Sequence, residues 1–277
     1  MKARVGTGEH FTDAQAPLVV FDFDHTLYDG DSGGHLIRWL IRRSAWRTAF
    51  AAVAAPLLGP MIGWLPTRRR GIAGFLWIGT LGLHRRRDLD DLIDVYVDRN
   101  AATLRARLLP AALRALHRHR EANDRVLIAT GAPPELARAI LAFVAHEDVP
   151  VIGTTTVRRF GAVIARHHCH AAEKVKMIRA AGYRGPITRA YSDSTADLPL
   201  LLAASDPVVV NPKAGAIATF ARELPAGTPM LNWGCADRAG TTVKDKPSRA
   251  KGRATSAASL RDPVAAKARR RSPRRKR

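Results

Sequence analysis

The sequence predicts an α/β fold: a Rossmann-like, mainly parallel sheet with an inserted all-helical cap. Three observations carry this. The apolar run Pro17-Leu-Val-Val-Phe-Asp-Phe23 reads as a buried strand that ends in acids. A second run, Arg125 to Thr130, is followed by Gly131 and the pair Pro133-Pro134. Between them, residues 31–121 read as helical, and after them short strands alternate with helices.

Taken in order, residues 31–50 show helical spacing, with Leu36, Ile37, Leu40 and Ile41 on one side and Asp31 or Ser32 placed to cap. Residues 48–67 carry no charge and lie between Arg47 and Arg68-Arg69-Arg70, but Pro56, Gly59, Pro60 and Gly63 interrupt them. They suit a packed hairpin or a membrane-touching segment better than a spanning helix. A second uncharged run covers 71–83. Residues 88–109 read as one amphipathic helix, with Leu89, Leu92, Ile93, Tyr96 and Val97 on its apolar face. Helices follow at 111–121 and 135–145, short strands at 150–157 and 161–165, and a helix at 173–181. Residues 186–191 and 207–210 read as strands, and 213–224 as a helix. The implied organisation is an arm over 1–16, a core over 17–30 and 122–236, a cap over 31–121, and a disordered basic tail over 237–277.

The formal charge of +21 is unevenly spread. Residues 241–277 hold 14 Lys or Arg against 2 Asp, so the tail dominates the overall charge. Two cysteines, Cys169 and Cys235, are too few for a disulfide scaffold and indicate reduced thiols in a cytoplasmic setting. The first 17 residues do not read as a secretory signal. The tail can meet anionic lipid or nucleic acid nonspecifically by charge alone, but no folded nucleic-acid motif accompanies it.

Open α/β sheets collect ligands at the carboxyl ends of their strands. Asp22 and Asp24 fall at such an end, and their i, i+2 spacing turns both carboxylates to one crevice. Thr130-Gly131 closes the second strand, and Asp193-Ser194-Thr195-Ala196-Asp197 follows Tyr191. Clustered carboxylates need a cation, and oxygen ligands suit Mg²⁺. An ionised Asp22 is a nucleophile toward phosphorus. Asp24 can protonate the leaving alcohol and then activate water. Thr130, backbone N–H groups around 23–26 and Lys174 (with Lys176 as the alternate) can hold the phosphate. The run His167-His168-Cys169-His170 lacks a second ligand cluster and does not read as a zinc site. His25 reads as a loop residue and Cys235 as an inert thiol.

Four motifs in order, Asp22-Phe-Asp-His-Thr-Leu27, Thr130-Gly131, Lys174 and Ser192-Asp-Ser-Thr-Ala-Asp197, resemble the haloacid-dehalogenase-like phosphatases, in the branch containing phosphoserine phosphatases. The resemblance spans about residues 18–233 and implies a Mg²⁺-dependent phosphomonoester hydrolase that works through an aspartyl-phosphate. It makes Asp22 the nucleophile and Asp24 the acid/base whose backbone carbonyl also meets the metal. It makes Asp193 a metal ligand and gives Asp197 the metal water or the lysine. Thr130, Gly131 and Lys174 become phosphate contacts, and Asn211-Pro212 matches a late supporting motif. His25 departs from the glycine many members carry there.

The cap is similar to that of a bacterial phosphatidylglycerophosphatase of the C type, through APLLGPMIG, a basic patch and LWIGTLGLH. That points to a lipid headgroup phosphate, with the apolar cap and the patches Arg68–Arg70 and Arg85–Arg87 resting on the inner face of an anionic membrane. The alternatives are a phosphatase of phosphoserine or another small soluble phosphate, and a non-enzymatic binder of membrane or nucleic acid acting through its tail.

Overall fold

The computed structural model describes residues 16–64, 67–84 and 87–236. The arm and the basic tail expected at the two ends lie outside these residues, as do Arg85 and Arg86 of the second basic patch. Six strands form one parallel sheet: β1 (Leu18–Asp22), β2 (Arg125–Thr130), β3 (Val151–Gly153), β6 (Ile187–Ser192), β7 (Ala204–Val210) and β8 (Met230–Leu231). Their spatial order is β3-β2-β1-β6-β7-β8. The chain winds outward from β1 to β3 on one side, then restarts beside β1 and winds the other way. The switch point therefore lies between β1 and β6, where the crevice of such a sheet opens.

Alternation along β1 sorts its side chains. Val19 and Phe21 join Ile128, Leu136 and Ile140 in one buried cluster, while Leu18 and Val20 join Leu127, Ile178, Val209 and Phe220 in the other. Asp22 shares the second face with Val20, the face covered by helix α8 (Ala172–Ala180). Phe23 and Tyr28 stack at 5.8 Å behind the acids. Phe21 stacks on Tyr191 of β6 at 4.4 Å, so an alanine at either position opens a void costing about 3–5 kcal/mol.

The cap occupies the interval between β1 and β2. It comprises α1 (Ser32–Arg42), α2 (Ala45–Gly63), α3 (Arg68–Thr80), α4 (Arg87–Arg99), α5 (Ala101–Ala106) and α6 (Pro110–Glu121). Asp31 caps α1, its carboxylate accepting from the N–H of Gly34. The helix expected over 31–50 breaks at Ser44, which is extended (φ −146°), and the one over 88–109 breaks at Asn100. Apolar spacing alone does not register a single non-helical residue. The prolines expected to interrupt 48–67 do not: α2 runs through Pro56 and Pro60. Only Ala51 of α2 is buried, and both prolines are exposed. Gly71 and Gly74 let α3 close on α2, since a Cβ at either would lie within 3 Å of Ile62 or Leu58.

The stretch expected as one strand over 150–157 divides. β3 stays in the sheet, while β4 (Thr155–Arg159) pairs antiparallel with β5 (Ala162–His167). This hairpin docks on α3, where the Thr80 hydroxyl donates to the Val163 carbonyl at 3.1 Å and accepts from its N–H at 3.0 Å. The remaining helices are α7 (Pro134–Leu141), α9 (Leu198–Leu202) and α10 (Ile217–Glu223).

Candidate active site

Strand register brings the acids together. Phe21 pairs with Tyr191, so Asp22 stands beside Ser192, with Asp193 one residue beyond. Asp22 pairs with Ala129 on its other side, which puts Thr130 beside Phe23. Asp22, Asp193, Asp197, Thr130 and Lys174 are all buried, and Asp24 is half-buried.

Lys174 is the hub. Its Nζ donates to Asp22 Oδ1 at 2.7 Å and to Asp197 Oδ2 at 2.6 Å. The Ser192 hydroxyl adds a third bond, donating to Asp197 Oδ2 at 2.8 Å. Thr26 donates its hydroxyl to Asp22 Oδ2 at 3.3 Å. Lys176, the alternate, is exposed and pairs with Glu173. The Ser32 N–H, at the start of α1, donates to Asp24 Oδ1 at 2.8 Å.

These surroundings set the protonation states. Burial pushes Asp22 up to about 6, against the pull of Lys174. Burial, then the nearby charge of Asp31, pushes Asp24 well above the usual carboxylate range. Burial alone would depress Lys174, but Asp197 and Asp22 more than offset it and hold the ammonium charged. One buried ammonium is thus shared by two of the buried carboxylates, Asp22 and Asp197.

Thr130 Oγ1 accepts the Ala132 N–H at 3.1 Å, which fixes the turn after β2. A Cβ at Gly131 would meet nothing nearer than Cys169 O at 3.9 Å, so space does not require glycine there. The N–H groups of Thr26, Leu27 and Tyr28 turn inward to the Phe23 carbonyl. Of the backbone donors expected around 23–26, that of Thr26 is therefore engaged in the turn. Asn211, in the left-handed region at φ +47°, donates to the His25 carbonyl at 2.8 Å and accepts from the Trp233 N–H at 2.6 Å. It ties the loop after β1 to the end of the sheet.

Thr26, Ser192 and the Ser32 N–H are contacts that the sequence did not mark out. Thr26 and Ser192 lie inside quoted motifs, and their spacing, four residues after Asp22 and five before Asp197, was the available signal. Nothing marked the backbone donor. The Cys169 thiol is buried and pushed up to about 12, so it stays protonated and inert. His168 accepts from or donates to the Thr154 hydroxyl at 3.3 Å. A separate trio, His25, Asp29 and Cys235, brings its ligand atoms within 4.8 Å of one another and is compatible with a divalent metal ion.

The donor set of the main crevice fits a hard cation. It offers carboxylate oxygens, it has more buried acids than bases, and Asp197 Oδ1 is a buried acceptor without a hydrogen-bond partner.

Comparison with known proteins agrees with this geometry. The profile of the haloacid dehalogenase-like hydrolases matches residues 19–202. The fold is similar to that of a protein of unknown function from Bordetella pertussis Tohama I (TM-score 0.60, 22% identity, 79% of this chain and 99% of that one). It is similar to a functionally unknown protein from Anaerococcus prevotii DSM 20548 (0.53, 12%, 80% and 87%). It is also similar to cytosolic 5'-nucleotidase IIIB bound to cytidine (0.51, 13%, 79% and 80%). At such identities the likeness is one of fold. No curated protein matches the chain. Because the profile spans well over half the sequence and runs through both acid-bearing strand ends, the protein belongs to the haloacid dehalogenase-like hydrolases and is an enzyme of that family.

Proposed function

We propose that the protein is a Mg²⁺-dependent phosphomonoester hydrolase that forms an aspartyl-phosphate on Asp22. The observation that carries this reading is Lys174, buried and shared between Asp22 and Asp197 at the switch point. We assign residues 17–30 and 122–236 to the catalytic core and 31–121 to the cap.

The carboxylates of Asp22 and Asp193 and the backbone carbonyl of Asp24 are the groups that would hold Mg²⁺, which when bound would neutralise those carboxylates and the phosphoryl oxygens. Asp22, kept in place by Lys174 and Thr26, attacks phosphorus as the ester oxygen departs. Asp24, whose burial keeps it protonated, gives its proton to that oxygen. As a carboxylate it then takes a proton from the water that cleaves the acyl-phosphate, releasing inorganic phosphate. Lys174 and the Thr130 side chain bind phosphoryl oxygens, and Asp197 holds Lys174 in place.

For the substrate we favour a small soluble phosphomonoester of the phosphoserine or nucleotide kind. The motif resemblance to the phosphoserine phosphatase branch supports it, as does the 5'-nucleotidase among the fold neighbours. One observation favours a second reading, a lipid headgroup phosphate such as phosphatidylglycerophosphate. α2 is the one helix among the described residues long and apolar enough to cross a membrane, and only 6% of it is buried. Trp46, Val53, Leu57 and Trp64 are exposed along it. Residues 32–87 contain ten arginines and no acid, a charge suited to peripheral contact with anionic lipid.

A hydrolysis panel of phosphoserine, nucleoside monophosphates and phosphatidylglycerophosphate vesicles, with Mg²⁺ and with EDTA, tests both. Turnover of soluble esters that EDTA abolishes is expected. Turnover confined to the vesicles selects the second reading, and equal rates in EDTA refute the metal assignment.

A further inference from the structure

Cys235 and His25 are 210 positions apart in sequence, yet the fold places Cys235 Sγ 3.7 Å from His25 Nδ1. Cys235 Sγ also donates to Asp29 Oδ1 at 2.9 Å. Asp29 Oδ2 accepts the Ala236 N–H at 3.1 Å, and Arg107 donates to the Asp29 backbone carbonyl at 2.8 Å. His25 is a non-glycine residue held in the left-handed region at φ +57°.

We infer that His25, Asp29 and Cys235 form a second metal site, distinct from the carboxylate crevice and selective for Zn²⁺-class ions. A thiolate and an imidazole select a softer ion than Mg²⁺, which prefers oxygen throughout. Ligands at about 2.3 Å (sulfur) and about 2.0–2.1 Å (nitrogen) on a tetrahedral ion sit roughly 3.5 Å apart, close to the Sγ–Nδ1 spacing already present. Three protein ligands leave a fourth position for water. Asp29 and Ala236 also line a neighbouring pocket of about 510 Å³.

Binding exchanges one proton for the metal. The Cys235 S–H now directed at Asp29 ionises, the proton leaves to solvent, and the sulfur, the ring nitrogen and one Asp29 oxygen take the ion. His25 directly follows Asp24, and its carbonyl is already held by Asn211. An ion here would therefore clamp the loop that bears the acid/base residue to the segment after β8. The site stands on its own three ligands and does not depend on the hydrolysis proposed above.

Co²⁺ titration of the full chain in saturating Mg²⁺ is the test. Wild type is expected to bind one equivalent with a near-ultraviolet thiolate-to-cobalt charge-transfer band that Zn²⁺ displaces. The thiol near the carboxylate crevice, Cys169, is buried and stays protonated, and the C169S variant separates any contribution from it. C235S should lose the band. C169S and D193N should keep it, so failure of the catalytic reading leaves this outcome unchanged. H25N, which tolerates the left-handed backbone, should keep the band but weaken Co²⁺ binding at least tenfold. Zn²⁺ should raise the Tm of wild type and not of C235S. A band that survives C235S, affinity unmoved by H25N, or no band in folded wild type would each overturn the site and leave only a thiol–carboxylate hydrogen bond.

Discussion

The switch point and the α2 helix use apolar sequence in opposite ways. At the end of β1, hydrophobic residues surround charges that would be unstable without one another. Lys174 is almost fully buried between two carboxylates; Asp22 has a donor in the turn after β1, Asp24 one at the start of α1 and Asp197 one on β6. In α2, a helix whose one charged residue is Arg47 lies over α3 with a single buried residue, and Trp46, Val53, Leu57 and the C-cap Trp64 are exposed. In the first region burial is spent on raising the reactivity of polar groups. In the second, apolar surface is left exposed, the feature that marks an interaction site rather than a core. A change at the first region should therefore alter chemistry, and stability as well where it leaves a buried charge unpaired, and a change at the second should alter neither.

The largest effect is expected from D22N, which removes the nucleophile. Turnover should fall by about 10⁴-fold or more while the circular dichroism spectrum is kept. Steady-state rates on a soluble phosphomonoester check this, and near-normal turnover would remove Asp22 from the chemistry. K174A should come next. It leaves Asp22 and Asp197 buried without a counter-charge, so it should lower stability by about 3–5 kcal/mol as well as stopping turnover. Denaturant unfolding measures the first effect, and an unchanged midpoint would mean the pair is not buried in solution. D24N should cost about 10²–10⁴-fold in rate, without the stability loss of K174A.

The pH dependence of the metal-free protein sharpens the comparison further. The folded state raises Asp22 from 3.8 to about 6, so folding favours its protonated form. That contribution is fully present below 3.8 and is lost as pH rises through about 6, an effect of about 2–3 kcal/mol. In EDTA, the Tm of D22N relative to wild type should rise between pH 4 and pH 7, and Mg²⁺ should abolish the difference by holding Asp22 ionised. A flat difference in EDTA would contradict the desolvation argument. The smallest effect is expected in α2. V53K and L57K should each change stability by less than about 0.5 kcal/mol and, on the lipid-headgroup reading, weaken adsorption to anionic vesicles. A loss of several kcal/mol would show that α2 packs in a core.

The sheet was legible because its strands are short apolar runs closed by glycine, proline or acids. Arg125–Thr130 matches the observed strand residue for residue. Asp22, Asp24 and Asp193 stood out because acids at the end of a buried strand have no packing role, and Lys174 because it is a cation near a helix start. Where signals were local and weak, the reading failed. Ser44 and Asn100 break helices that apolar periodicity carried through, and Pro56 and Pro60 were given more breaking power than an exposed helix allows. The hub geometry of Lys174 and the approach of Cys235 to His25 are products of tertiary folding. No spacing in the chain encodes them.

The most direct test is an acid quench during turnover of a phosphomonoester with Mg²⁺, followed by peptide mapping of the trapped protein. A single acid-stable, hydroxylamine-labile phosphoryl group on Asp22 is the expected result. Continued turnover with no trapped phosphoryl group, or one on any residue other than Asp22, would contradict it.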